Sequence, residues 1–357
     1  MKMPVAHYDA DRSASRVRSA STSSRLRALF SVLLLLATCL PANARNPRHS
    51  TKHGAWLFAY FKEPGNQGIY LALSRDGYHF TPLNDGQPWV TAAQPGEVMR
   101  DVFLTRGPDH LFHMVWTWSW HGDSLGYSSS PDLLTWSPQR EIAVMKDFPE
   151  TNNVWAPETY WDARHKEWLI IWSSSMKNSK TGNHIWSTFT PDFKTFSKPS
   201  IFFDPGYVTI DATIYHQPHG PYRMVFKDQS YDPLSFQERV ATGPTLEGPW
   251  KEISGPLNES WSEGPSVIQV GRRFIVYYDH YRPPHARYEA VATNDWKHWE
   301  DITAETSLPA HCKHGSFLRI TDAEAAKLLQ RRDPPRDTGS AASVLSQRFV
   351  YKCVRSS

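Results

Sequence analysis

Cysteine is scarce, with three residues in 357. Cys39 lies in an apolar N-terminal run, which leaves Cys312 and Cys353, too few for a disulfide scaffold or a cysteine-built zinc site. An oxidising compartment permits one bridge between them, and their spacing does not decide whether the two sulfurs meet. Long hydrophobic runs are also missing. The longest, residues 28–40, falls short of the ~20 residues that span a bilayer, so no transmembrane segment is expected. Charge of one sign is not in excess either: the net charge is +3, and it comes from the ends. Residues 1–44 hold six Lys/Arg against two Asp, and residues 331–357 hold six basic against two acidic residues. The stretch 45–330 between them carries 27 basic and 32 acidic residues. A nucleic-acid-binding face is therefore not supported. Despite 16 histidines there is no His-Glu-x-x-His spacing, no Gly-x-Ser-x-Gly elbow and no phosphate-cradling glycine loop, so three common enzyme chemistries lack their motifs.

Aromatics are plentiful: 15 Trp, 15 Tyr and 17 Phe make up 13% of the chain, which suits all-β packing and sugar-stacking clefts better than helical bundles. At the N-terminus, Arg25 and Arg27 precede the apolar run, and Ala42-Asn43-Ala44 offers small residues where a signal peptidase would cut. Residues 1–44 accordingly read as an export signal, residues 45–330 as one folded domain and residues 331–357 as a flexible tail. The protein is expected to be secreted or periplasmic. Oligomeric state has no marker in the sequence.

An internal repeat organises the domain. Ser74-Arg75-Asp76-Gly77-Tyr78-His79-Phe80 recurs as Ser130-Pro131-Asp132-Leu133-Leu134-Thr135-Trp136, as Thr190-Pro191-Asp192-Phe193-Lys194-Thr195-Phe196 and as Thr293-Asn294-Asp295-Trp296-Lys297-His298-Trp299. A degenerate copy ends at Trp250. Each follows an alternating run such as Ile69-Tyr70-Leu71-Ala72-Leu73, so the unit reads as a β-hairpin with the aromatic on the returning strand.

A second series interleaves with the first, each member a polar cluster opening an apolar strand. Its key residues are Asp101, Glu158, Asp211, Glu263 and His314, at intervals of 57, 53, 52 and 51 residues. A period of ~50 with about four strands per unit is that of a β-propeller, whose first strands line the central axis. The expected fold is all-β, a five-bladed β-propeller closed by pairing of N- and C-terminal strands in one blade, because the first hairpin precedes the first axial strand and the last axial strand has no hairpin after it. A short helix is expected from residue 323 to 331.

An acidic residue at one strand start is ordinarily a solubility device, but five polar groups in register around one axis suggest chemistry. Asp101, Asp211 and Glu263 arrive from different blades. Inverting glycoside hydrolysis needs a carboxylic acid to protonate the leaving oxygen and a carboxylate to activate water, held ~6.5–9.5 Å apart. A third carboxylate near the acid would raise its pKa by like-charge repulsion.

The segments Arg100-Asp101, Trp155-Ala156-Pro157-Glu158, Ile210-Asp211-Ala212, Glu263-Gly264-Pro265 and His314-Gly315, in this order from residue 56 to 321, resemble glycoside hydrolase family 43, the five-bladed propeller arabinofuranosidases, arabinanases and β-xylosidases. The resemblance implies a glycoside hydrolase with Asp101 as general base, Asp211 as modulator of pKa and orientation, and Glu263 as general acid. Val102 departs from the proline that usually follows the family's base. The resemblance also implies that Glu158 bonds a sugar hydroxyl, with Trp155 as a ring wall and Arg100 beside the base. His314 resembles a family histidine that, in several members, helps to hold a calcium or other hydrated ion; no cofactor is required. Asp279 and His280 edge the expected pocket. Arg287 reads as a solvated loop residue, while Trp116, Trp118 and Trp120 alternate on one strand face and read as blade packing.

The resulting expectation is an inverting exo-glycosidase that removes terminal α-L-arabinofuranosyl groups from plant-type poly- or oligosaccharides. A β-xylosidase or β-galactosidase on the same scaffold is the alternative within the class. A propeller that binds carbohydrate without cleaving it is the alternative outside it.

Overall fold

In the computed structural model, the described residues are 54–331 except 94–96, 179–181, 218–219 and 285. The proposed export signal, the C-terminal tail and Cys353 lie outside them. The chain forms five four-stranded antiparallel sheets. Blade one holds β1 (Ala55–Phe61), β2 (Tyr70–Ser74) and β3 (Thr81–Pro82). Blade two holds β4 (Arg100–Arg106), β5 (Phe112–Thr117), β6 (Leu125–Ser130) and β7 (Arg140–Ile142). Blade three holds β8 (Trp155–Asp162), β9 (Glu167–Ser174), β10 (His184–Thr190) and β11 (Ser200–Phe203). Blade four holds β12 (Thr209–His216), β13 (Tyr222–Asp228), β14 (Gln237–Gly243) and β15 (Lys251–Glu252). Blade five holds β16 (Ser262–Val270), β17 (Arg273–His280), β18 (Arg287–Thr293) and β19 (Glu300–Asp301). The last strand, β20 (Lys313–Ile320), returns to pair with β1 as the inner strand of blade one, so the chain's two ends close the ring as the sequence predicts. Inner strands β4, β8, β12, β16 and β20 touch in succession, and β20 touches both β16 and β4.

The repeated motif forms the turn into each outermost strand. In four copies a Ser or Thr hydroxyl accepts from the backbone N–H three residues on, at Gly77, Leu133, Phe193 and Trp296. The Asp two residues after that hydroxyl accepts from two further N–H groups. A short side-chain acceptor thus replaces the ladder bonds that the turn breaks. The aromatic that ends each copy precedes the outermost strand instead of lying on it. Correcting a second expectation, β5 ends at Thr117. Trp116 is buried and Trp118 packs against the same cluster, but Trp120 leaves that face and is 48% exposed.

Apolar side chains gather in five wedges, one between each pair of adjacent blades. There is no shared centre, because the axis is left to polar groups. The helix α1 (Asp322–Gln330), started by a Thr321–Glu324 capping box, buries Ala325 and Leu328 against the wedge between blades one and two.

Every inner strand carries the same irregularity near its start. Three steps of the inner strand face two of its partner: Arg100 to Phe103, Trp155 to Glu158, Ile210 to Thr213, Glu263 to Ser266 and Lys313 to Ser316. These are β-bulges. The second residue of the first four is left-handed, with φ of 52° at Asp101, 47° at Ala156, 53° at Asp211 and 62° at Gly264. A bulge takes an N–H out of the ladder, and the preceding blade supplies the acceptor. Ala156 N donates to Thr117 Oγ1 (2.9 Å), Asp211 N to Ser173 Oγ (3.0 Å), Gly264 N to Asp211 Oδ2 (3.1 Å) and Gly315 N to the Tyr288 hydroxyl (3.1 Å).

Ring closure requires close approach of β1 and β20 at Gly315, where a Cβ would sit 2.1 Å from the Ala59 carbonyl oxygen. Backbone cannot swing aside as a side chain can. Gly315→Ala is expected to cost about 2–4 kcal/mol, read as a lowered urea midpoint; an unchanged midpoint would show that closure does not depend on this contact.

Candidate active site

The bulges bring three of the expected residues together. Asp101, Asp211 and His314 all hold the second bulge position, on three different blades. His314 Nδ1 lies 3.5 Å from Asp101 Oδ1 and 3.8 Å from Asp211 Oδ2. Burial works against the charged ring, yet the Asp211 and Asp101 carboxylates overcome it and raise His314 to about 9. The ring is therefore an imidazolium at neutral pH. Burial also opposes the charged form of Asp101, but the imidazolium, Arg100 and the Thr117 hydroxyl (2.6 Å) hold it below the usual range. Asp211 goes the other way, to about 6: burial dominates, His314 opposes it, and Glu263 and Asp101 add like-charge repulsion.

Glu263 stands at the first bulge position, one residue earlier in its strand. Its side chain is 28% exposed, against 13% for Asp101 and 8% for Asp211, so it has the freest access to solvent of the three. Its Oε2 accepts from Lys227 Nζ at 3.0 Å, and the same ammonium donates to the Tyr281 hydroxyl at 3.2 Å. Lys227 is 2% exposed and lies over the rings of Tyr281 and Phe236. Burial would discharge it, but Glu263 and Asp211 hold it charged and raise its pKa.

Arg100, at the first position of its own bulge, is buried and donates to both carboxylate oxygens of Glu63 at 2.9 Å. Its guanidinium lies 4.4 Å from the Phe61 ring centroid and 4.3 Å from that of Trp120. Trp155 donates its indole N–H to the Trp120 carbonyl, and the two rings meet edge to face. Asp279 is buried and accepts from Lys313 Nζ at 3.0 Å; burial raises it to about 7 against the pull of that lysine. His280 ends β17, with Nδ1 4.0 Å from a Glu289 oxygen. Glu158 is buried at the fourth position of its bulge and accepts from the Tyr160 hydroxyl, whose oxygen also accepts from Ile214 N. Burial lifts Glu158 to about 8 despite that bond.

The five polar groups are therefore not equivalent in register. Asp101, Asp211 and His314 share a position, while Glu263 precedes it by one residue and Glu158 follows it by two. The physical reason is the bulge, which lets successive residues face the axis where a regular strand would alternate them. The sequence reasoning missed Lys227, Lys313, Glu63 and Thr117. A lysine closing the apolar run Met224-Val225-Phe226-Lys227 was the only local signal of the first.

A cavity of about 870 Å³ opens beside this cluster, lined by Glu63, Arg287, Tyr288, His311, Cys312 and Lys313 among others. Two of its lining residues bond to site residues, Glu63 to Arg100 and Lys313 to Asp279. Arg287, expected in a solvated loop, lines it with its side chain 60% exposed and bonded to Glu289. Cys312 is buried and unbridged, and burial raises its thiol. The donor set at His314 does not fit an ion held directly: calcium takes six to eight oxygens, and a charged imidazolium has no free lone pair to offer. No helix among the described residues is long and apolar enough to cross a membrane.

Residues 52–326 match the sequence profile of a family related to glycoside hydrolase family 43 and described as "Probable glycosyl hydrolase domain". The chain is similar to an α-L-arabinofuranosidase of Bifidobacterium longum subsp. longum, 26% identical over 259 residues, covering 58% of this chain and 24% of that protein. It thus spans about a quarter of that relative's length. Among solved structures, a thermostable family-43 glycoside hydrolase aligns at a TM-score of 0.46 and 16% identity, covering 57% of this chain and 71% of that one. An α-L-arabinofuranosidase from Lactobacillus brevis aligns at 0.45 and 13%, covering 57% and 72%. An exo-β-1,3-galactanase from Clostridium thermocellum aligns at 0.45 and 11%, covering 57% and 48%.

The raised pKa of His314 makes a stability prediction with a definite sign. The ring binds its proton more tightly folded than unfolded, so its contribution is full below about 6.5, its unfolded value, and is lost as pH rises through about 9. His314→Gln is expected to cost about 3 kcal/mol at pH 6, with the deficit shrinking between pH 7 and 10 in urea unfolding. A deficit independent of pH would contradict a charged ring.

Proposed function

Since the chain belongs to this family-43-related glycosyl hydrolase family, we propose that it is an inverting exo-glycosidase that releases terminal α-L-arabinofuranosyl groups from plant-type poly- or oligosaccharides. The observation that carries the proposal is the set of three carboxyls delivered by bulges of three different blades, graded in exposure from Glu263 through Asp101 to Asp211. Glu263, the most exposed of the three, is the general acid that gives its proton to the leaving oxygen. Asp101, held ionised by His314 and Arg100, is the base that takes a proton from the attacking water. Asp211 adds like charge beside the acid and orients it through the Gly264 N–H, which follows Glu263 in the chain. Positioned acid and base groups of this kind contribute about 10²–10⁴ in rate.

Arg100, Trp120 and Trp155, which pack on one another, supply the flat surface and donor for one terminal ring in this reading. In the same reading Asp279, held by Lys313, His280 and Glu158, held by Tyr160, serve the substrate's hydroxyls. The name of the Bifidobacterium relative supports arabinofuranose over other sugars. The same proposal has the protein exported, on the strength of Arg25, Arg27 and the apolar run after them.

Nitrophenol release from α-L-arabinofuranoside, β-D-xyloside and β-D-galactoside tests the assignment, with Glu263→Gln and Asp101→Asn beside the wild type. Turnover of the arabinofuranoside is expected, with a loss of at least about 10² in each variant and a bell-shaped pH profile of kcat/KM for the wild type. Turnover of another sugar would correct the substrate. Retained activity in the variants would contradict the roles, and oligosaccharide binding with no cleavage would favour a carbohydrate-binding propeller.

A further inference from the structure

Glu238, on β14, is the most deeply buried carboxyl beside the site, at 0% exposure, and neither of its oxygens has a hydrogen-bond partner. A buried carboxyl without a partner is costly, so its placement calls for a reason. Its cross-strand neighbour is Lys227, and directly paired residues of adjacent antiparallel strands project from the same sheet face, with Cβ atoms about 5 Å apart. An ammonium has three N–H donors. Two of those on Lys227 are directed to Glu263 and Tyr281, which leaves a third for the carboxyl across the ladder, whose oxygens lie beyond hydrogen-bond distance of the ammonium in this state.

The arrangement addresses a contradiction in the site. A general acid must hold a proton, yet Glu263 stands here as the ion-pair partner of an ammonium 3.0 Å away. Neutralising Lys227 by burial would not help, since the lysine is held charged. A second carboxyl, paired across the ladder with the same lysine, can take over as its anion once the ammonium swings toward it.

We propose that Glu238 is a positioning residue that exchanges with Glu263 as the counter-ion of Lys227, so that one proton is shared between the two carboxyls. When Lys227 serves ionised Glu263, Glu238 carries the proton. When Lys227 turns to ionised Glu238, Glu263 carries it and is ready to protonate a leaving group. The proton leaves one carboxyl oxygen and ends on the other, charge is unchanged, and Lys227 stays an ammonium throughout. Burial raises Glu238 to about 8, with Lys227 and His314 opposing and Asp211 and Glu263 reinforcing, which suits a group that holds a proton at neutral pH. Those four and Tyr288 are the titratable groups among the described residues that act on it most strongly. The proposal rests on Glu263 being the acid.

The test follows the glutamate side-chain carboxyls of the full-length protein by ¹³C NMR, with Glu238→Gln and Glu263→Gln identifying the two signals, alongside pH profiles of kcat/KM. In Glu263→Gln the freed lysine is expected to lower the titration midpoint of Glu238 by about 1–2 pH units. In Glu238→Gln the alkaline limb of kcat/KM is expected to move to lower pH by about one unit, and this shift should vanish in a Lys227→Met background. A Glu238 midpoint that is the same in wild type and Glu263→Gln would overturn the proposal, and both proteins compared retain Glu238. A moved midpoint with an unmoved kinetic limb would uphold the exchange and remove Glu263 from the role of acid.

Discussion

The structure depends on one backbone irregularity repeated five times. Near its start each inner strand gives up one ladder register, and the bulge turns consecutive residues toward the axis. Asp101 and Asp211 adopt left-handed backbone there, a conformation that aspartate tolerates better than most residues. The N–H groups displaced from the ladder are taken up by the preceding blade, through Thr117, Ser173, Asp211 and Tyr288. The bonds that position the axial side chains are therefore also bonds between blades, and ring closure and site geometry become one constraint. Closure by β20 matters doubly, since it completes the ring and carries His314 to the carboxylates.

Around this frame buried charges are placed as alternating pairs. Arg100 and His314 flank Asp101, Lys227 holds Glu263, and Lys313 holds Asp279. Burial pushes these groups toward their neutral forms, and it raises Glu158, Glu238, Asp211 and Asp279, the last even against Lys313 at 3.0 Å. At Asp101 the His314 imidazolium, Arg100 and the Thr117 hydroxyl together outweigh it, and that carboxyl stays ionised. A single cluster thus contains carboxyls with separated proton affinities, which is what acid and base work on one substrate requires. Its dipoles and charges are fixed by packing before any substrate arrives.

Much of this was legible in the sequence because the fold is periodic. The Asp-to-aromatic turn motif and the spaced polar strand starts gave five blades, and the unmatched first hairpin gave the closure by β1 and β20. Family resemblance then nominated Asp101, Asp211 and Glu263. Register was not legible, because a bulge shifts which residue faces the axis by one position without changing the apolar pattern that follows. Glu158 and Glu263 looked equivalent to Asp101 for that reason. Lys227, Lys313 and Glu238 were hidden differently: they come from second, third and closing strands, and their partners are set by how one blade packs on the next. Trp120 was misread because alternation in sequence was followed beyond Thr117, where the strand stops.

The central claim is that an acid and a base act from separate bulges, on the inner strands of two different blades. The anomeric configuration of the sugar first released, followed by proton NMR before mutarotation, tests it most directly. Attack by water activated at Asp101 yields the inverted anomer. A retained anomer would mean that a carboxylate attacks the sugar itself, and would contradict the account.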